Sequence, residues 1–315
     1  MMVETEVKEI KVESKEVTFR IRRYDPETGK RWWAEYKVPV IRGMTVLDAL
    51  LYIKENIDHT LTARYSCRMG VCGSCGMIIN GTPMLACSIQ VLDLGTDVVT
   101  VEPLPNLPTL RDLSADFTRF FEKHKLIKPF IIRVNKEEYE SPQREYRMFP
   151  EELNAIIQFA YCLKCGLCYA ACPTSAIDKL YLGPQALAQA YRWISDVRDE
   201  GMIERIEVVD SAHGCWRCHF AGSCSAVCPK GVDPAQGIQL LRALALSLRT
   251  GRSKVKKGSP IVQPSPATRR PGAVEPPKPT VNIEVVKENL KKLIESIEEE
   301  LPSIASALKE YMESL

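Results

Sequence analysis

The run "CLKCGLCYAACP", residues 162–173, spaces its cysteines as C-x2-C-x2-C-x3-C and sets a proline behind the last. In a run of this kind three thiolates hold one cubane iron–sulfur cluster, while the fourth reaches across to another. Cys162, Cys165 and Cys168 therefore form one set of candidate ligands, and Cys172 belongs to a second. A partner run has to return a ligand, and "CHFAGSCSAVCPKG", residues 218–231, offers Cys228 ahead of Pro229. We expect a [4Fe–4S] centre on Cys162, Cys165, Cys168 and Cys228. Cys172, Cys218 and Cys224 remain for the next cluster. A regular second run would carry a further cysteine at position 221, where this chain has Ala221. Thiolates from three residues alone leave a [3Fe–4S] cluster. Cys215, just upstream in "CWRC", could instead supply the fourth corner of a second [4Fe–4S], or be a buried spectator beside Trp216; spacing leaves both readings open.

Working outward, "SCRMGVCGSCGMIINGTPMLAC", residues 66–87, sets out C-x4-C-x2-C followed by Cys87 beyond a hairpin. That is the plant-type spacing of a [2Fe–2S] centre, here on Cys67, Cys72, Cys75 and Cys87. A loop wrapped so tightly needs unusual backbone angles and inward-pointing amides for negatively charged sulfurs. Gly70, Gly73 and Gly76 are expected to supply that freedom. Arg64 and Arg68 add positive potential, which favours the reduced, more negative state. The competing reading is a structural zinc site in a zinc-stapled interaction protein. It suits neither the x4 spacing nor the interleaved glycines.

The totals agree with metal ligation. All twelve cysteines of the 315-residue chain lie in these groups, a distribution that small core hydrophobes would not show. The N-terminal "MMVETEVKEI" lacks an apolar signal-like stretch, and the longest greasy run, "LLRALALSL", is short and broken by Arg242. We therefore expect an intracellular chain with reduced thiols. A formal net charge of +2 gives no bulk electrostatic case for nucleic-acid binding. No G-x-G-x-x-G follows a strand and there is no P-loop, so neither flavin nor nicotinamide is expected on this chain. His59, His124, His213 and His219 are scattered, without a nucleophile–base signature.

The organisation expected is α+β. Residues 1–106 form a β-rich unit: "EVTFRIRRY" and "AEYKVPV" are strands joined by the turn "DPETGK". "MTVLDALLYIKENI" is a helix with Thr45 as N-cap and Asp48 completing a capping box, and Asn80-Gly81 suits a tight hairpin turn. "TDVVTVEPL" adds a strand before prolines 103, 105 and 108 mark a boundary. Residues 107–250 turn helical. "PQALAQAYRWISDVRDEG" is framed by Pro184 and Gly201, and "DPAQGIQLLRALALSLRTG" by Asp233, Pro234 and Gly251. Residues 251–280 are a Pro-rich basic linker. Residues 281–315 carry Val286, Leu290, Leu293, Ile297, Leu301, Ile304, Leu308 and Tyr311 as one apolar stripe of a helical tail.

Beyond the cysteines, the chain resembles the iron–sulfur subunits of succinate dehydrogenase and fumarate reductase from about residue 16 to 245. The likeness is carried by "RYDPETGKRWW", "GMTVLDALLYIKEN", "CRMGVCGSCGM", "INGTPMLAC", "YCLKCGLCYAACP", "YLGPQALAQAYRWISDVRD" and "RCHFAGSC…CPKGVDP". It implies an N-terminal plant-type [2Fe–2S] ferredoxin-like β-grasp domain and a C-terminal all-α, bacterial-ferredoxin-like domain. It also implies a hetero-oligomeric membrane complex with a flavoprotein subunit that carries FAD and oxidises succinate. Electrons would leave through the three clusters to a quinone held against membrane-anchor subunits. The chain itself would sit peripherally on the cytoplasmic face. His219, directly after Cys218, matches a family position near the quinone. The chain departs from the family at "CPTSAIDKLYLGP", which lacks the tryptophan pair common there, at Met69, where an acidic residue is usual, at Cys215, and past residue 250. Fumarate reductase runs the same wire in reverse. Its thiol-linked form adds a cysteine-rich domain for which nothing after Cys228 provides.

Overall fold

The computed structural model describes residues 14–251 together with Glu288, Lys291, Ile294, Glu295 and Lys309, each of the last five helical. The expected linker past Gly251 and every position of the apolar stripe from Val286 to Tyr311 fall outside the described residues. The chain divides into two compact units, residues 1–268 and 269–315, and the architecture that follows belongs to the first.

Alternation of apolar and polar residues builds the sheet. Strands β1 (Ser14–Tyr24) and β2 (Arg31–Ile41) pair antiparallel along their whole length, Ser14 opposite Ile41 and Tyr24 opposite Arg31. Val17, Phe19 and Ile21 of β1 and Val38 and Val40 of β2 are buried, leaving their neighbours on the outer face. Helix α1 (Val46–Asn56) begins at the expected box: Thr45 Oγ1 accepts from Asp48 N at 3.2 Å, and Thr45 N donates to the Asp48 carboxylate at 3.0 Å. Strands β3 (Gly76–Ile79) and β4 (Thr82–Leu85) turn at Asn80 and Gly81, both left-handed with φ of 46° and 78°. Strand β5 (Val98–Glu102) slots between β1, to which it runs parallel, and β3, giving the order β2-β1-β5-β3-β4. A small hairpin, β6 (Thr109–Arg111) and β7 (Ser114–Ala115), closes this half. The buried Asp112 carboxylate at its tip accepts from Arg23 Nε at 2.8 Å and from Thr62 N at 2.9 Å, fastening the hairpin to β1.

Helices make up the rest: α2 (Thr118–Leu126), α3 (Lys136–Glu140), α4 (Pro150–Ala160), α5 (Leu167–Ala170), α6 (Pro173–Ile177), α7 (Pro184–Ile194), α8 (Met202–Val209), α9 (Ser223–Ala226) and α10 (Pro234–Arg249). Their core centres on α7 and α10, where Leu187, Ile194, Ile238 and Leu241 are essentially inaccessible. Asp233 caps α10 as expected, accepting from Gln236 N at 2.9 Å.

One expected helix is shorter than its sequence frame. The segment opened by Pro184 ends at Ile194, and Gly201 stands at the start of α8 instead of closing α7. Buried carboxylates account for the break. Asp196 is fully buried and accepts from Arg198 N, Nε and Nη2 at 3.1, 2.8 and 2.8 Å, which bends residues 195–200 into a turn. Asp199 accepts from Gly201 N at 2.8 Å and pairs at 2.7 Å with Arg205, which also donates to the carbonyls of Ile127, Lys128 and Phe130. Neither Asp199 nor Arg205 is more than 1 % exposed.

Candidate metal centres

The loop before β3 is folded around its thiols. Cys75 and Cys87 bring their sulfurs to 3.3 Å. Backbone amides point inward: Gly70 N donates to Cys87 Sγ at 3.2 Å, Val71 N and Cys72 N to Cys67 Sγ at 3.4 and 3.3 Å, and Ser74 N to Cys72 Sγ at 3.4 Å. Arg68, Gly70 and Gly73 take left-handed angles of 59°, 70° and 73° to aim them. Gly76 does not. Its conformation is ordinary strand, and its missing side chain serves a close approach instead, since a Cβ there would stand 3.1 Å from the Cys165 carbonyl. The amides of Cys67 and then Ser74 pull the Cys72 thiol down to about 6, whereas burial pushes Cys75 up to about 12. Arg64 lies over the Phe117 ring at 4.1 Å and Arg68 over Tyr65 at 5.3 Å.

The two later runs have a common local geometry. In the first, Lys164 and Gly166 are left-handed (55° and 80°) and lead into α5; in the second, Phe220 and Gly222 (56° and 73°) lead into α9. Superposed by this pattern, Cys162 matches Cys218, Cys168 matches Cys224, Cys172 matches Cys228, and Ala221 falls on Cys165.

Each run contributes to the other's cavity. One cavity is lined by Cys162, Cys165 and Cys168 of the first run and Cys228 of the second. Another is lined by Cys218 and Cys224 of the second run and Cys172 of the first, with Ala221 and His219 also on its wall. Cys215 is not on that wall. It is wholly buried in the α7–α10 core, within a 3-10 turn at 215–217, and burial pushes its thiol up to about 11. His219 is exposed.

These cavities suit a polynuclear iron centre. Burial raises Cys162, Cys168 and Cys228 and pushes Cys165 and Cys224 up to about 12, so the thiolates need a compact positive core to form. Amides aimed at sulfur provide further support, with Ser175 N donating to Cys172 Sγ at 3.4 Å and Phe220 N to Cys218 Sγ at 3.3 Å. The first loop abuts the first cavity as well. A Cβ on Gly73 would stand 2.7 Å from Cys165 Cβ.

Other residues hold these walls without having stood out in the sequence. Asn106, left-handed at φ 68°, donates its amide to the carbonyls of Tyr169, Ala170 and Cys172 at 3.0–3.2 Å, capping α5. Arg242 donates to the Cys215 carbonyl at 2.9 Å and also to those of Trp216 and Cys218. Gln185 lines the first cavity at the buried start of α7. Only Gln185 had a sequence signal: with Gln189 it forms a polar pair on an otherwise apolar helix face.

A thiol-rich loop beside two cavities walled by exchanged cysteines defines a multi-cluster iron–sulfur protein. Family models agree: residues 18–122 match a 2Fe-2S iron-sulfur cluster binding domain and residues 158–232 a 4Fe-4S dicluster domain. The chain belongs to the family of iron–sulfur subunits of succinate dehydrogenase and fumarate reductase. It is 44% identical over 230 residues to the fumarate reductase iron-sulfur subunit of Mycobacterium tuberculosis, covering 73% of this chain and 92% of that one. It is 40% identical over 227 residues to the succinate dehydrogenase iron-sulfur subunit of Paracoccus denitrificans, covering 71% and 86%. Among solved structures, a chain of the Mycobacterium smegmatis Sdh1 complex in the apo form superposes with a TM-score of 0.67 at 25% identity, over 77% of this chain and all of that one. The cofactors are thus a [2Fe–2S] cluster and a cubane-type pair. Among the described residues no helix is long and apolar enough to cross a membrane.

Proposed function

We propose that this chain is the electron-transfer subunit of a succinate:quinone oxidoreductase, joining an FAD-bearing flavoprotein to a quinone at a membrane-anchor subunit. The [2Fe–2S] centre is held by Cys67, Cys72, Cys75 and Cys87, and the [4Fe–4S] centre by Cys162, Cys165, Cys168 and Cys228. The third is a [3Fe–4S] centre on Cys172, Cys218 and Cys224, with Cys215 a bystander and His219 beside the quinone. Residues up to 106 then belong to a β-grasp ferredoxin domain and 107–250 to a helical ferredoxin domain. The assembly is hetero-oligomeric, and the chain sits peripherally on the cytoplasmic face.

The observation that carries this reading is the exchange of cysteines, Cys228 of the second run lining the first cavity and Cys172 of the first run lining the second. When bound, the clusters supply one-electron storage. The chain's part is to hold their thiolates, direct amides at them and keep them close: Gly73 and Gly76 let the first loop touch Cys165.

Low-temperature electron paramagnetic resonance on the purified complex tests it. Succinate should elicit signals from reduced clusters, and an active, flavinated complex that stays silent would sink the reading. A near-isotropic [3Fe–4S] signal is expected as isolated; its absence from a fully iron-loaded sample would return Cys215 to the ligand set. Relatives named for either direction match this chain, so rates of succinate oxidation and fumarate reduction in one preparation set the direction of flow.

A further inference from the structure

Gln185 is an unexpected residue at the start of α7. It is 2 % exposed and faces the first cavity with Cys162, Cys165, Cys168 and Cys228. One turn along, Gln189 is explained by its bond to the Phe159 carbonyl at 2.8 Å. Gln185 has no such backbone partner. Its Nε2 lies 3.2 Å from Nδ1 of His124, a residue of α2 that is 7 % exposed, and its Oε1 is buried with no partner among the described residues. Its amide shares the wall of that cavity with Cys162. Burying polar side chains in an apolar helix seam costs about 1–3 kcal/mol each where hydrogen bonds are incomplete, so stability alone is a poor reason for this pair.

Charge fixes the orientation. Beside a thiolate an amide is favourable only with N–H toward sulfur and its oxygen away. The amide nitrogen has two hydrogens. Burial and then the charge of Lys164 pull His124 down to about 4, so the ring is neutral and, as the Nε2–H tautomer, accepts one hydrogen at Nδ1, leaving the other for a sulfur of the cavity.

We infer that Gln185 raises the reduction potential of the first cubane by donating an N–H to a ligating thiolate of that cavity, with His124 as the positioning residue that holds the amide in that sense. The inference rests on the ligand set proposed above. A hydrogen bond donated to a ligating sulfur is worth more when the cluster gains negative charge, which favours the reduced state.

The test is a redox titration of the purified complex followed by electron paramagnetic resonance, comparing the parent protein with Gln185→Leu at full iron content. At the parent midpoint, the reduced-to-oxidised ratio of the [4Fe–4S] centre should fall about tenfold, equivalent to about 59 mV for a one-electron couple. The other two midpoints should stay in place. His124→Leu keeps the amide but removes its acceptor, and should lower the same midpoint by less. An unmoved [4Fe–4S] midpoint in loaded Gln185→Leu overturns the inference and leaves the pair a helix-seam contact. If that variant does not load iron, His124→Leu decides alone: a lowered midpoint upholds the inference and an unmoved one overturns it. A parent complex with no [4Fe–4S] signal would instead sink the ligand assignment, a separate failure.

Discussion

Ala221 occupies in the second run the place that Cys165 holds in the first, on matching backbone and on the wall of its own cavity. A thiol at 221 would start where a ligand is already aimed, whereas the Cys215 thiol would have to leave a packed core. Ala221→Cys should therefore convert the third cluster to [4Fe–4S], seen as loss of the near-isotropic signal at unchanged protein yield. Cys215→Ala should leave that signal intact and cost only the roughly 0.5–3 kcal/mol of an ordinary core substitution. Loss of the signal in Cys215→Ala, with the other clusters retained, would make Cys215 a ligand after all. The sequence left this point open because spacing gives distance along the chain, while the choice depends on which side of the 3-10 turn each thiol faces.

Among the elements, the buried pair of Arg205 and Asp199 ties the helical half together. Arg205 joins α8 to the segment after α2 through three carbonyls, and neither charge of the pair reaches water. Arg205→Ala should cost about 3–5 kcal/mol, because it leaves the buried Asp199 carboxylate without its counter-charge and frees those carbonyls. The exposed pair of Lys37 and Glu16 makes the contrast, and Lys37→Ala should cost far less because solvent screens it. Thermal unfolding of both variants in the loaded protein checks the two together, and equal shifts would refute the argument. The same residues explain what sequence could and could not tell. The capping box at Thr45 and the turn at Asn80-Gly81 are local, so they were legible. The end of α7 was not, because the buried Asp199 is made tolerable by partners reached only after folding, Ile132 N and the buried Arg205 among them.

Across the molecule, the first thiol loop and the first cubane run meet backbone to backbone, with Gly73 against Cys165 Cβ and Gly76 against its carbonyl. Which cysteines share a cavity could be read from spacing, but this contact between distant segments could not, and it gives Gly76 a part other than loop freedom. If the contact sets how near the first two clusters lie, a methyl at 73 should force them apart. Gly70 provides the control. It shares the left-handed angle, 70° against 73°, so alanine at either position carries a similar strain of about 1–2 kcal/mol. A Cβ on Gly70 would meet Ser88 Oγ at 2.8 Å, within its own half of the chain, whereas one on Gly73 would press on Cys165. Gly73→Ala should therefore weaken the magnetic interaction between the reduced [2Fe–2S] and [4Fe–4S] centres, with both still present. Gly70→Ala should disturb the [2Fe–2S] signal alone. Equal effects on the interaction would mean that loop strain, and not the seam, controls the approach of the two centres.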